Sequence, residues 1–382
     1  MKRNRAYKFR LYPTKEQEIL INKTFGCTRL VYNIMLTKKK INNNLSCYDL
    51  IKEIPSLYEE YPFLKEVDSC SLRCTIFDLD NGFSRFYKKL GGYPNFKKKG
   101  YKDSYRTSFI SSTYKGKVYE NLKNKIITLP KLKEIKIRGY RNMEYLNGRV
   151  INATLTKEGA KYYVSVVVEE EVILPDKKES YAVGIDIGVK SLVVTSDGEV
   201  YGNPEYNKKY DKRIKKLQKE LMRKEKGSNN YKKTKLKLSE AYRRLKNARK
   251  KIVEEIVSKV TKNNDIIITE KLKVKEMIIK KDKTIQNKNL RKSITNATFG
   301  LIIKKMEEKC KMLNKTFIQV DTYYASSQIC SRCGNINKSM KDLQKREYKC
   351  SKCGIEIDRD LNASINIEYE GVIKYFKNKY AS

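Results

Sequence analysis

Tyr181-Ala-Val-Gly-Ile-Asp186-Ile-Gly-Val189 is the stretch whose reading decides the fold. It is an apolar run of strand length with one carboxylate set between two glycines. An ionised side chain in such a strand is costly unless it is paired or bound to a metal ion. A second strand, Ser191 to Ser196, follows, and an Asp197-Gly198 turn leads to a third from Glu199 to Tyr201. Further along, Asp265-Ile-Ile-Ile-Thr-Glu270 is another short buried strand that ends in a carboxylate. A helix is expected around Ser293 to Leu313, a strand at Thr316 to Val320, and a last helix from about Leu361. Asp360 sits where the chain enters that last helix.

Taken singly, the three acids have ordinary readings. Asp360 suits a helix N-cap, Glu270 a surface strand end, and Asp186 a turn beside Gly188. Taken together, they match a ribonuclease-H-like arrangement. A strand-borne Asp opens a three-strand meander, a Glu ends a later strand, and an Asp stands at a terminal helix. In that arrangement the carboxylates converge on two divalent ions roughly 3.5–4 Å apart. Oxygen ligands suit Mg²⁺ or Mn²⁺. One ion would generate hydroxide and the other would stabilise the leaving 3′-oxygen.

Between the last strand and the last helix lie Cys330-Ser-Arg-Cys333 and, sixteen residues on, Cys350-Ser-Lys-Cys353. Two CxxC knuckles at this spacing read as a four-thiolate ribbon holding one structural zinc ion. Arg332, Lys338, Lys341 and Arg346 give the ribbon a basic rim. The remaining cysteines, Cys27, Cys47, Cys70, Cys74 and Cys310, are scattered among apolar residues and read as packed, reduced thiols. The chain has no histidine. Ser-His-Asp and Cys-His nucleophilic machinery is therefore excluded, and any hydrolysis rests on carboxylates and metal ions.

Lys and Arg number 84 against 44 acids, a formal net charge of +40. Such an excess repels itself, and a polyanion is its natural counterweight. The charge is densest from Lys208 to Lys251, with 20 Lys or Arg against four acids. There, Ile214, Leu217 and Leu221 repeat at helical spacing, as do Leu238, Tyr242 and Leu245, with Gly227-Ser-Asn-Asn230 between them. The pattern predicts a helical hairpin over 208–258 with narrow apolar stripes and broad basic faces suited to phosphates. No apolar run approaches the about 20 residues of a membrane span, and the basic N-terminus lacks a signal peptide's apolar stretch. A soluble, cytoplasmic, nucleoid-associated bacterial protein is expected.

Upstream, Tyr7, Phe9 and Leu11 alternate along a strand ended by Pro13. Thr14, with Gln17 three residues on, opens a helix through a capping box. Helices then continue to about residue 90, including Leu72 to Lys89. A Gly-Gly-Tyr-Pro break and a basic run to Gly100 follow. Residues 105–173 read as short strands, among them Lys125 to Leu129 and Ala160 to Val168.

In order along the chain, Tyr7-Lys-Phe-Arg-Leu-Tyr-Pro-Thr-Lys-Glu-Gln17, Gly26-Cys-Thr-Arg-Leu-Val-Tyr-Asn33, Tyr93-Pro-Asn-Phe-Lys-Lys-Lys99 and Gly184-Ile-Asp-Ile-Gly-Val-Lys190 form a set. Tyr324-Ala-Ser-Ser-Gln-Ile-Cys-Ser-Arg-Cys-Gly334 and Asp358-Arg-Asp-Leu-Asn-Ala-Ser-Ile-Asn-Ile367 complete it. The set resembles the TnpB proteins encoded by bacterial insertion sequences, relatives of the type V CRISPR effectors and often described as transposases. The resemblance implies an RNA-guided, Mg²⁺-dependent endonuclease. Its guide RNA comes from the transposon end, and it cuts double-stranded DNA next to a short transposon-adjacent motif. It carries the catalytic, Mg²⁺-binding role onto Asp186, Glu270 and Asp360, and the zinc-ligand role onto Cys330, Cys333, Cys350 and Cys353. Asp358 becomes a supporting group. Two departures stand out. Glu270-Lys-Leu272 replaces the family's usual Glu-Asp-Leu. Arg249-Lys-Lys-Ile-Val-Glu-Glu255 stands where the family commonly has Arg-x-Asp followed by His.

The expected fold is thus α+β and multidomain. Residues 1–175 would form a β-barrel-like, RNA- and DNA-binding domain with a helical insertion at about 15–100. Residues 180–382 would form a ribonuclease-H-like (RuvC) nuclease domain with the hairpin at 208–258 and the zinc ribbon at 324–356. Arg10, Arg29, Lys97 and Lys98 are candidate nucleic-acid contacts. A non-cleaving regulator of transposition and a transposase of the same fold class are the alternative functions.

Overall fold

The computed structural model describes residues 2–108, 124–139, 148–204, 206–274, 298–342 and 344–380. Part of the strand-rich stretch expected over 105–173, and the start of the helix expected at Ser293, lie outside the described residues. The chain divides into two compact units, Met1–Ile173 and Leu174–Ser382.

In the first unit, β1 (Lys2–Tyr12) buries Tyr7, Phe9 and Leu11 on alternate positions. It is central to a six-stranded sheet with β2 (Ser104–Ser108), β3 (Ile126–Leu129), β4 (Lys133–Arg138), β5 (Gly148–Glu158) and β6 (Lys161–Glu171). Strand order is β2-β5-β6-β1-β4-β3, and every neighbouring pair is antiparallel. Among the described residues β2 and β3 are its edges, which makes it a half-barrel sheet.

Thr14 caps helix α1 (Lys15–Ile41) as its sequence predicts. Thr14 Oγ1 accepts from Gln17 N at 3.3 Å, and Thr14 N donates to Gln17 Oε1 at 3.0 Å. Gln17 Nε2 also donates to the carbonyls of Leu132 and Glu134, tying the helix start to β4. Ile21 and Phe25 of α1 pack on the sheet. The later Val31, Met35 and Leu36 join Leu72, Ile76, Leu79 and Phe83 of α4 (Ser69–Tyr87) in a second core. Two short helices, α2 (Cys47–Lys52) and α3 (Ile54–Glu60), add Leu50 and Leu57 to it.

The second unit is built on β7 (Ala182–Asp186), β8 (Ser191–Thr195), β9 (Val200–Gly202), β10 (Ile266–Glu270) and β11 (Thr316–Val320). Their order is β11-β10-β7-β8-β9. The β7-β8-β9 meander is antiparallel, whereas β10 pairs parallel with both β7 and β11. One face packs against α6 (Asn229–Asn263) and α7 (Phe299–Met312), through Val183, Ile185 and Ile267 against Val257, Val260 and Ile302. The other face packs through Ile266, Ile268 and Val320 against Ile367 of α8 (Arg359–Tyr380).

α5 (Tyr206–Met222) pairs with the first half of α6 to make the basic hairpin. Their shared core is small: Ile214, Leu217, Ala241 and Leu245, with Tyr210 and Leu238 beside them. Tyr242, expected in the apolar stripe, is instead half exposed, and its hydroxyl accepts from Gln218 Nε2 at 2.7 Å. The stripe follows 238, 241 and 245, which leaves 242 one step around the helix. The last turns of α6 run on into the sheet core. Among the described residues no helix is long and apolar enough to cross a membrane.

α8 lies in direct backbone contact with β7. A Cβ at Gly184 would stand 2.0 Å from the carbonyl oxygen of Ser364 and 2.5 Å from the amide nitrogen of Glu368. One at Gly371 of α8 would stand 2.2 Å from Ile268 Cγ2. Only hydrogen fits at Gly184, so Gly184→Ala is expected to lower stability by about 3 kcal/mol through overpacking against backbone that cannot move aside. Chemical denaturation of the purified chain measures this.

Candidate active site

Strand alternation decides which way the strand-borne carboxylates face. Val183 and Ile185 pack toward α6 and α7, so Gly184 and Asp186 belong to the opposite face, where α8 lies. On β10, Ile267 faces α6 and α7 while Ile266 and Ile268 face α8, and Glu270 shares their side. The parallel register pairs Ile268 with Gly184 and Thr269 with Ile185. Its next step sets Glu270 abreast of Asp186. Gly184 meets α8 at Ser364. Two residues along the strand, roughly 6.6 Å, correspond to four residues back along the helix, roughly 6 Å, which is Asp360.

Electrostatics report this convergence. Desolvation first, then the negative charges of Glu270 and Asp360, push Asp186 up to about 7, while its backbone contact at Ile187 and the charge of Arg359 pull the other way. Glu270 is also raised by burial, against a hydrogen bond from Ser326 Oγ to its Oε1. Asp360 faces Arg346, whose Nη1 lies 3.8 Å from Asp360 Oδ2. The helix-capping role falls on Asp358, whose Oδ1 accepts from the backbone nitrogens of Asp360 at 2.9 Å and Leu361 at 3.0 Å. Helix α8 therefore starts earlier than expected, and Asp360 lies in its first turn with its carboxylate free of capping duty.

Asp186 has gained proton affinity chiefly because it is desolvated, and next because the charges of Glu270 and Asp360 act on it. An oxygen-only donor set of this kind fits a hard divalent cation.

The four cysteines meet as expected: their sulfurs all lie within 4.8 Å of one another, and none is in a disulfide. Among the described residues they are the one group this tight, so the carboxylates are spread more widely. Cys330 Sγ to Cys353 Sγ and Cys333 Sγ to Cys350 Sγ both measure 3.6 Å. A tetrahedral zinc with bonds of about 2.3 Å needs sulfurs about 3.8 Å apart, so the set fits. The two knuckles repeat one backbone pattern. Cys330 N donates to Asn335 O and Gly334 N to Cys330 O; Cys350 N donates to Ile355 O and Gly354 N to Cys350 O. Gly334 and Gly354 have φ of 72° and 71°, a region that favours glycine. Backbone N–H groups, that of Cys353 first, draw the Cys350 thiol below its ordinary value.

Two residues of this site escaped sequence reasoning. Ser326 is a small hydroxyl inside the run that leads into Cys330. Arg359 is buried and donates through Nη1 to the carbonyls of Asp342 at 2.9 Å and Lys345 at 3.3 Å, fastening the ribbon to α8. The candidate nucleic-acid contacts all belong to the first unit. The Arg10 guanidinium lies 4.8 Å from the Tyr12 ring centroid, and Lys97 Nζ 3.9 Å from that of Tyr32. Arg29 is engaged within the fold by Asp103 at 3.3 Å, and Lys98 is exposed.

Asp186→Asn is expected to stabilise the metal-free protein. The folded carboxyl titrates above its unfolded value, so the stability it allows is full at low pH and is lost as pH rises toward about 7. The variant's advantage in thermal melts should therefore grow from the ordinary carboxylate range up to about pH 7 and then level off. Cys350→Ser should remove bound zinc, read by elemental analysis, and open the 324–356 region to limited proteolysis.

Residues 165–280 match a family model described as "Probable transposase", and residues 299–367 one described as "Cas12f1-like, TNB domain". Residues 1–42 match a "Helix-turn-helix domain" model, although here they form a strand and one unbroken helix. A Streptomyces pristinaespiralis protein named "Putative RNA-guided DNA endonuclease" is 30% identical over 379 residues, 96% of this chain and 89% of its own. The similarly named InsQ of Escherichia coli K12 is 29% identical over 382 residues, 96% and 92% of the two chains. A cryo-EM structure of a Cas12f1–sgRNA–target DNA complex shares the fold, with a TM-score of 0.57 at 14% identity, over 96% of this chain and 99% of that one. Identity at this level over almost the whole length means that the chain belongs to the TnpB family.

Proposed function

We propose that this protein is an RNA-guided DNA endonuclease encoded by a transposable element. In this reading it cuts double-stranded DNA beside a short transposon-adjacent motif, with Mg²⁺ or Mn²⁺ held by Asp186, Glu270 and Asp360. The observation that carries the reading is the meeting of the three acids on the α8 side of the sheet, with Asp186 pushed up to about 7 by desolvation and by its two neighbours. Near-full-length similarity to relatives named as RNA-guided DNA endonucleases supports it.

The chain's own residues would work as follows. β7 and β10 would hold Asp186 and Glu270 side by side on paired strands, and the Asp358 cap, which fixes the first turn of α8, would let Asp360 face them. Divalent ions bound there would supply a hydroxide nucleophile near neutral pH and neutralise charge on the scissile phosphate. Arg346, already beside Asp360, adds a positive group at the same place. The ribbon, residues 324–356, would keep one zinc ion as a structural pin. Residues 1–175 would hold an RNA from the transposon end and read the flanking DNA. The hairpin at 208–258, within a nuclease domain of residues 180–382, would track heteroduplex phosphates with its basic face. Sequence specificity would come from base pairing.

The test is cleavage of a plasmid library with randomised bases beside a guide-matched target, with the protein co-expressed with its downstream flank and supplied with Mg²⁺. Selective loss of plasmids bearing one motif is expected, and Asp186→Ala should abolish that loss while RNA binding persists. Intact plasmids despite co-purified RNA would favour a non-cleaving regulator, and strand-transfer products a transposase.

A further inference from the structure

A buried polar network beside the carboxylates has no part in the chemistry above. Ser326 is 5% exposed, and its Oγ donates to Glu270 Oε1. Its carbonyl accepts from Asn366 Nδ2 at 2.8 Å, and the same nitrogen donates to Ile329 O at 2.7 Å. One turn earlier on α8, Asn362 Nδ2 also donates to Ile329 O at 2.7 Å, and its Oδ1 accepts from Ser331 N at 2.9 Å. Two asparagines of the helix that bears Asp360 thus grip the chain on both sides of the first zinc ligand, Cys330. Ser326, at the head of the gripped segment, reaches the strand that bears Glu270.

Plain packing does not call for this chemistry. Apolar side chains would fill the same space without the cost of burying two amides and a hydroxyl. The hydroxyl and both amides make the hydrogen bonds just given, which makes the network directional. Glu270 ends its strand, and its flexible side chain needs an orienting partner before both oxygens take defined directions. By engaging Oε1, Ser326 fixes the plane of the carboxylate and so the direction of Oε2.

We propose that Ser326 is a positioning residue for Glu270, through which the ribbon's first knuckle sets the geometry in which the carboxylates take a divalent ion. The proposal rests on the reading of Asp186, Glu270 and Asp360 given above.

Mn²⁺ binding to the zinc-loaded full-length chain, titrated by electron paramagnetic resonance, tests it apart from activity. Loss of a hydrogen bond to a charged group should make Ser326→Ala bind Mn²⁺ about tenfold more weakly. Its zinc content should stay unchanged, and the Mg²⁺ concentration needed for cleavage should rise in parallel. Ser326→Thr keeps the hydroxyl and should restore the affinity. Unchanged Mn²⁺ affinity in Ser326→Ala, with affinity lost in Glu270→Gln, would overturn the positioning role and leave the carboxylate reading standing. Loss of zinc from Ser326→Ala, or failure of Ser326→Thr to restore binding, would make the serine a folding residue and overturn it as well. Retained affinity in Glu270→Gln would overturn the carboxylate reading and this inference together.

Discussion

The contact on which the second unit depends is the one at Gly184, where the backbone of α8 rests on the backbone of β7. Interiors are close-packed, and one carbon at this position would force the two elements apart. The contact fixes the height of the helix above the sheet, and through that height the reach of Asp360 toward Asp186. Gly371 repeats the device against Ile268 further along the helix. The chemistry proposed at the strand ends is therefore set by sterics two residues away. The two glycines that flank Asp186 differ in kind: Gly184 admits the helix, and Gly188 begins the turn into β8.

Much of this was legible in the sequence because it broke a rule. A carboxylate inside or at the end of an apolar strand is an anomaly, and it singled out Asp186 and Glu270 as candidates. Paired CxxC knuckles carry their geometry in their spacing, and the sulfurs meet accordingly. The Thr14 and Gln17 capping box is local, so its four-residue pattern determined its structure. What stayed hidden depends on partners far away in the chain. Ser326 gains its meaning from Glu270, 56 residues earlier, and nothing adjacent to it signals that contact. Arg29 could not be told from the other basic residues until Asp103, 74 residues later, was found beside it. That Asp358 caps α8, where Asp360 suited the role in sequence, depends on where the helix begins, a matter of one or two residues that periodicity does not resolve.

The ribbon and the sheet have unequal means of support. The sheet has two layered cores, whereas the ribbon buries little beyond Met340, Tyr348 and its own cysteines. Tyr348 is fully buried, and its hydroxyl lies within hydrogen-bond distance of the carbonyls of Gln328 and Asn335. So small a core offers little hydrophobic burial for a loop of this length, and a metal ion held by the four sulfurs would add to its folding free energy. Arg359, Asn362 and Asn366 then transfer that order to α8 through hydrogen bonds to ribbon carbonyls. In this way a structural metal can matter to a site whose ligands it never touches.

The basic hairpin poses the opposite problem. Four buried side chains hold α5 to α6, and burial of each contributes about 1.5–3 kcal/mol at most. Against this stand long runs of like charge at adjacent helical positions, each pair mildly unfavourable. The few opposed pairs, Arg243 and Arg244 with Glu240 among them, offset only part of it. The hairpin is thus held only by a small core and is anchored where the last turns of α6 enter the sheet core at Val253 to Val260. A polyanion laid along its basic face would remove the repulsion and release counterions at the same time. The excess charge, which weakens the isolated element, would become its source of affinity for a polyanion, and the end of α6 that packs in the sheet core would hold the basic face in place.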